Sequence, residues 1–309
     1  MPWIKKSLIF KPNGVFEWSN THAQVPTALI LEDRIRLYYA TRDKKGRSLT
    51  SFLDVDRDNP SQIIYVHDSP TMQLGEIGTF DEDGVMAGCI IKKGSDILSY
   101  YTGWSKCATI PYRVSVGLAK STDGGITFER IFTGPIVDRT PHEPYMTMSP
   151  YVTFNNNIWK MWYGSGTKWV EIDGKMEPVY QIKYAESKDG LTWNQDNILC
   201  IKALHPLEAN TRPSVILSKL GYEMWFSYRH SINFRGKSGG YRIGYATSQD
   251  GKEWYRQSDQ IGLEVTEDGW TKNMVAYPNV IEIDNRRIMF FNGDGFGQAG
   301  FGYAIWESE

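Results

Sequence analysis

A chain of 309 residues, 41% hydrophobic and with a net charge of −2, is long enough for a large closed core and has no basic footprint for nucleic acid. No stretch approaches the ~20 apolar residues of a membrane helix, and the N-terminus lacks the apolar core of a secretory signal. The three cysteines, Cys89, Cys107 and Cys200, show neither a disulfide framework nor zinc-type spacing, so a reduced, cytoplasmic setting is expected.

The chain opens on Trp3-Ile4-Lys5-Lys6-Ser7-Leu8-Ile9-Phe10, which reads as a strand. The anchor tripeptide Val25-Pro26-Thr27 follows, and equivalents recur at Ala87-Gly88-Cys89, Ser149-Pro150-Tyr151, Arg212-Pro213-Ser214 and Tyr277-Pro278-Asn279. From Pro26 through Gly88, Pro150 and Pro213 to Pro278 the steps are 62, 62, 63 and 65 residues. Such a period marks an architecture in which each unit buries its faces against its neighbours. After each anchor come a short apolar run, a turn and a second run dense in aromatics, at 35–39, 97–101, 159–163, 223–227 and 287–291. A third run stands at 116–119, 182–185, 243–246 and 302–305. Short β-branched and aromatic runs bounded by Gly, Asp and Asn are strands, and no stretch of ten residues carries a 3.6-residue apolar period.

Three repeats continue into Ser121-Thr122-Asp123-Gly124, Ser187-Lys188-Asp189-Gly190 and Ser248-Gln249-Asp250-Gly251. An Asp-Gly pair between strands is a hairpin signal, because Gly accepts the positive φ of a tight turn. Four strands in each of five repeats predict an all-β, five-bladed β-propeller with four-stranded antiparallel blades, one domain over residues 1–309. The last repeat stops at its third strand, so the N-terminal strand is expected to complete that blade.

Strand alternation places the Asp-Gly turns on one face and the segments ahead of each anchor, with the second-strand exits, on the other. Those segments are polar: Asn20, His22 and Gln24 in the first repeat, Asp81, Glu82 and Asp83 in the second, His142 and Glu143 in the third. His205, Glu208 and Arg212 follow in the fourth, and Lys272 and Asn273 in the fifth. The second-strand exits add Arg42, Trp104, Lys168, Arg229, His230 and Asp294. Acids, bases and aromatics converging on one concavity describe a small-molecule site, and the 14% aromatic content suits a surface that stacks on sugar rings.

The repeat, the anchors and the run Gly78-Thr79-Phe80-Asp81-Glu82-Asp83-Gly84-Val85 resemble the five-bladed propeller glycoside hydrolases, the invertase-like, arabinanase/xylosidase-like and mannoside-phosphorylase-like group. The three Asp-Gly turns likewise resemble the Asp-box of propeller glycosidases, expected here as a folding element. The resemblance implies inner-strand carboxylates in the first three blades: Glu143 falls at the general-acid place, and Asp83 or Asp81 at the second-blade place. The first blade departs from the pattern, because His22-Ala23-Gln24-Val25-Pro26 has no carboxylate where the group has an Asp.

Cleaving a glycoside takes two carboxyl groups on opposite sides of the sugar, so the expected activity is acid/base cleavage of a small glycoside or terminal sugar through Glu143 and a second carboxylate, with no cofactor. His22, Gln24, Arg42, Trp104, His142, His205, Glu208, Arg212, Arg229, His230, Lys272, Asn273 and Asp294 are the expected sugar contacts. Arg212 and Arg229 present planar forks for a carboxylate or phosphate; alternatively Arg212 pairs with Glu208. Two other readings stay open: a glycan-binding propeller without turnover, and a biosynthetic enzyme on phosphorylated or nucleotide-activated sugars. The second could use a transition metal on His22, His142, His205 and His230, a nitrogen-rich set suited to Zn or Fe.

Overall fold

Period-two strands joined by short polar turns fold each repeat into one sheet. The computed structural model describes residues 3–219, 221–235, 239–257, 263–267 and 269–307. After β1 (Trp3–Phe10), the first blade is β2 (Thr21–Ile30), β3 (Arg34–Arg42), β4 (Thr50–Asp56) and β5 (Ile63–Val66). The second is β6 (Gly84–Lys93), β7 (Asp96–Lys106), β8 (Tyr112–Ser121) and β9 (Glu129–Arg130). The third is β10 (Thr147–Asn155), β11 (Ile158–Ile172), β12 (Lys175–Ser187) and β13 (Asn194–Leu199). The fourth is β14 (Glu208–Ser218), β15 (Gly221–His230), β16 (Arg242–Ser248) and β17 (Tyr255–Arg256). In the fifth, β18 (Ala276–Ile283), β19 (Arg286–Asn292) and β20 (Phe301–Trp306) are joined by β1, giving the order β1-β20-β19-β18. The ring is thus closed by the N-terminal strand, with Trp3 opposite Trp306. The Trp3 indole lies edge-on to Trp225 at 5.8 Å and to Trp306 at 5.1 Å.

The aromatic second strands make the core between blades, where Trp159, Trp162, Trp225, Tyr100 and Tyr163 are fully buried. Each such side chain removes roughly 150–250 Å² from water, a transfer term of about 4–6 kcal/mol as an upper bound. The Asp-Gly turns lock neighbouring blades together. Gly125 O accepts the Tyr38 hydroxyl of the first blade, Gly190 O that of Tyr100 in the second, and Gly251 O the Trp162 indole N–H of the third. Within the third blade's turn, the backbone N–H groups of Thr192 and Leu191 hold the Asp189 carboxyl down to about 2.

The anchors do not begin the inner strands; they interrupt them. Each sits at a register shift, a β-bulge in which the inner strand carries one residue more than its partner. Val25, Ser149, Arg212 and Tyr277 take the left-handed conformation, φ 50–57°, immediately before their prolines. Such backbone costs of order 1–3 kcal/mol per residue and persists only where surroundings enforce it. Here neighbours supply acceptors for the displaced N–H groups: Asn292 Oδ1 for Val25, Thr102 Oγ1 for Ser149 and Ser227 Oγ for Tyr277. Proline is tolerated because a bulge needs no ladder donor there.

Candidate functional site

The bulges turn Val25, Ala87, Gly88, Ser149, Arg212 and Tyr277 toward the propeller axis, and all six line one cavity of about 370 Å³ there. His22, Gln24, Arg42, Trp104, Arg212 and Arg229, six of the sequence-predicted residues, also line it. The register of β7 and β8 pairs Trp104 with Val114 near this cavity and Ile97 with Ser121 at the other end, so the Asp-Gly turns lie on the opposite face, as strand alternation predicts.

Four arginines face the cavity and, among the described residues lining it, there is no Asp or Glu. Arg212 reaches from the fourth blade across the axis. Its terminal nitrogens donate to Gly88 O, to Pro26 O at 3.1 Å and to Thr27 Oγ1 at 2.7 Å. It is 1% exposed and its Nε has no partner among the described residues, so burial pulls the guanidinium down to about 10, still charged at neutral pH. The alternative pairing with Glu208 does not form: Glu208 takes Arg256 at 2.6 Å instead. Arg229 donates to Ser231 Oγ at 3.1 Å, Pro178 O at 3.1 Å and the Tyr180 hydroxyl at 3.2 Å, and stacks on Phe234 at 3.6 Å. Arg42 donates to Gln24 Oε1 at 3.0 Å and Gly46 O at 3.2 Å, beside the Trp104 ring at 5.2 Å. Among the described residues, Arg235 alone of the four has a carboxylate, gripping Glu177 through two nitrogens at 2.7 and 2.8 Å.

An aromatic wall backs two of these charges: the Arg229 guanidinium is 5.4 Å from the Tyr241 ring and that of Arg235 is 5.6 Å from Phe296. Tyr241 is 5.4 Å from Tyr277 and 6.1 Å from Phe296, which is 6.0 Å from Phe234. Tyr180 and Tyr241 share a hydrogen bond between their hydroxyls. Burial pushes the Tyr112 hydroxyl up to about 12, so it stays protonated at neutral pH. The His22 imidazole touches Thr21 Oγ1 at 2.8 Å; burial first, and the Arg42 charge second, pull it down to about 4.

The three carboxylates expected to do acid/base chemistry stand elsewhere. Glu143 is fully buried, accepting the Tyr163 hydroxyl at 2.8 and 3.0 Å with Lys183 Nζ 3.7 Å away. Asp81 is also fully buried, held by Arg130 Nε at 2.8 Å, the Tyr101 hydroxyl at 2.9 Å and Thr79 Oγ1 at 3.1 Å. Asp83 accepts the Lys106 backbone N–H at 2.8 Å. Asn273 and Asp294 bond each other, with Asp294 also accepting the N–H of Met274; Lys272 and His142 are exposed outside the cavity. His205, Glu208 and His230 line a second cavity of about 250 Å³ beside the fourth blade, with the two imidazoles 6.3 Å apart. The four histidines considered for a metal are therefore dispersed over three places, and among the described residues no three His, Cys, Asp or Glu side chains are grouped as an ion would need.

Sequence reasoning missed Tyr112, Tyr180, Phe234, Arg235, Tyr241 and Phe296. Glu177 sits on an extension of the β11–β12 hairpin, pairing Lys168 with Val179 through Ile172 with Lys175, beyond the length of the other blades' second and third strands, and Tyr180 stands just before it, opposite Gly166. The signal was the aromatic and basic content of the 231–241 segment, which follows the fourth blade's second strand.

No family model matches the sequence. Two curated relatives from Mycobacterium tuberculosis, uncharacterized protein MT1551 of strain CDC 1551 / Oshkosh and uncharacterized protein Rv1502 of strain H37Rv, are each 35% identical over 310 residues, covering 100% of both chains. Among solved structures, a thermostable family-43 glycoside hydrolase aligns with TM-score 0.70 at 18% identity, over 96% of this chain and 91% of its own. A complex of BT0996 with RGII aligns at 0.73 with 15% identity, over 99% and 92%. A structure from the GH130 family of mannoside phosphorylases, which contains hydrolases targeting beta-1,2 mannosidic linkages in Candida mannan, aligns at 0.67 with 14% identity, over 99% and 93%. The shared feature is the fold, the five-bladed propeller of glycoside hydrolases.

Proposed function

The chain belongs to one family with the uncharacterized proteins MT1551 and Rv1502 of Mycobacterium tuberculosis, and we propose that it is a carbohydrate-active propeller whose axial cavity takes a small sugar bearing negative charge. The observation that carries this reading is the acid-free lining, with Arg42, Arg212 and Arg229 lacking a carboxylate partner among the described residues. A buried charge without a partner is costly, and an anionic ligand offsets that cost in the bound state. About 370 Å³ lies within the usual range for a small-ligand site, and the half-buried Tyr277 and Phe296 offer faces on which a sugar ring can stack.

Hydrolysis by two carboxyl groups requires both beside the sugar. Glu143 and Asp81 are fully buried in hydrogen-bonded clusters, and Asp83 is tied to Lys106, so the lining favours the phosphorylated or otherwise acidic sugar over the neutral glycoside. Calorimetric titration with glucose, methyl glucoside, glucuronate and glucose 6-phosphate tests this. Saturable binding is expected from the acidic sugars only, weakening as salt screens the arginines. Equal binding of the neutral sugars, or hydrolysis of the neutral glycoside, would overturn it.

A further inference from the structure

The arginines of the axial cavity are not equivalent. Arg212 spends its terminal nitrogens on the backbone of the first two blades, Arg229 is 3% exposed and spends its own on Pro178, Tyr180 and Ser231, and Arg235 is neutralised by Glu177. Arg42 differs. It holds Gln24 through Nε and Gly46 through Nη1, while Nη2 makes no hydrogen bond among the described residues. The Trp104 ring beside it is in turn fixed by its indole N–H on Ser48 Oγ at 3.1 Å. The neighbouring His22 sits in the left-handed region, φ 62°, an enforced conformation that keeps its ring in the cavity lining.

We propose that Arg42, with His22 and Gln24 beside it and the Trp104 indole against it, is the seat of a phosphoryl group, and that the ring of the phosphorylated sugar lies against Tyr277 and Phe296. This rests on the acidic-sugar reading of the cavity and narrows it. A phosphate monoester is the class that fits, because three guanidiniums without carboxylate partners exceed the single charge of a uronate, and a dianion with three acceptor oxygens meets both the open Arg42 nitrogen and its neighbours. Arg212 and Arg229 then act from behind, as fixed positive charge.

The seat has a proton signature. The charged group facing His22 is Arg42, with the Thr21 hydroxyl and the Gly295 backbone as its polar neighbours. In the free protein burial and Arg42 hold the imidazole uncharged above about pH 4. A phosphoryl dianion on Arg42 reverses the local field and favours the imidazolium. Binding therefore draws a proton onto His22 above pH 4, while below about pH 6 the phosphoryl group gives one up to bind as the dianion, so the His22 share is read as the difference between wild type and His22→Asn.

Inorganic phosphate and glucose 6-phosphate are the probes, titrated by calorimetry in two buffers of different ionisation enthalpy, into the wild-type chain and into Arg42→Gln, Arg42→Lys, His22→Asn and Lys272→Gln. The expected results are loss of about tenfold or more in affinity for both probes in Arg42→Gln, a smaller loss in Arg42→Lys, and none in Lys272→Gln. His22→Asn, a residue that accepts positive φ, should bind phosphate with less proton uptake at pH 5.5 than the wild type. If no acidic sugar binds the wild type at any pH, the acidic-sugar reading itself falls. If glucose 6-phosphate binds and Arg42→Gln, shown folded by its thermal transition, binds it equally, the seat alone is overturned. Tighter binding of glucuronate than of glucose 6-phosphate overturns the phosphoryl class.

Discussion

Arg212→Ala is expected to unfold at lower urea with an unchanged slope, a loss of about 2–4 kcal/mol. The side chain ties the fourth blade to the first and second across the axis, through Pro26 O, Thr27 Oγ1 and Gly88 O. Alanine leaves those acceptors buried without donors and opens a void at the floor of the cavity, which outweighs the relief of an unpartnered buried charge. Lysine should not restore the loss, because one ammonium cannot replace the planar fork. Anion binding should weaken as well, since the guanidinium, pulled down to about 10, remains charged at neutral pH. An unchanged urea midpoint would show that the tie across the axis carries no weight.

Asp81→Ala is expected to cost about 3–5 kcal/mol, the range for removing one partner of a buried ion pair. Its carboxylate is fully buried and takes Arg130, Tyr101 and Thr79 at once, binding the loop ahead of the second blade to that blade's second and outer strands. Sugar phosphate affinity, measured where the variant is folded, should match the wild type. Unchanged stability with abolished ligand turnover would instead return Asp81 to the catalytic role that its place in the second repeat implied.

How much of this was legible in the sequence follows from what each feature depends on. The five-bladed ring was readable because the anchors recur every 62 to 65 residues and the strand runs repeat with them. Closure by β1 was readable because the last repeat lacked one strand. That Arg42, Trp104, Arg212 and Arg229 share the face of the axial cavity was readable because strand alternation assigns a face to every inner-strand entry and second-strand exit. Their partners were not readable. Whether Glu143 meets solvent or Tyr163 and Lys183 depends on side-chain packing within the third blade, and no spacing encodes it. The bulges were hidden for a related reason: a residue before proline normally favours extended backbone, so Val25 or Tyr277 at positive φ contradicts the local rule. The extended β11–β12 hairpin escaped because it obeys no repeat.

The most direct measurement is a crystal structure of the chain soaked with glucose 6-phosphate. The phosphoryl group should lie in the axial cavity within hydrogen-bond distance of Arg42, with the sugar ring against Tyr277 and Phe296. A sugar seated beside Asp83 and a newly exposed Glu143, with nothing bound at Arg42, would contradict the account and restore the two-carboxylate hydrolase.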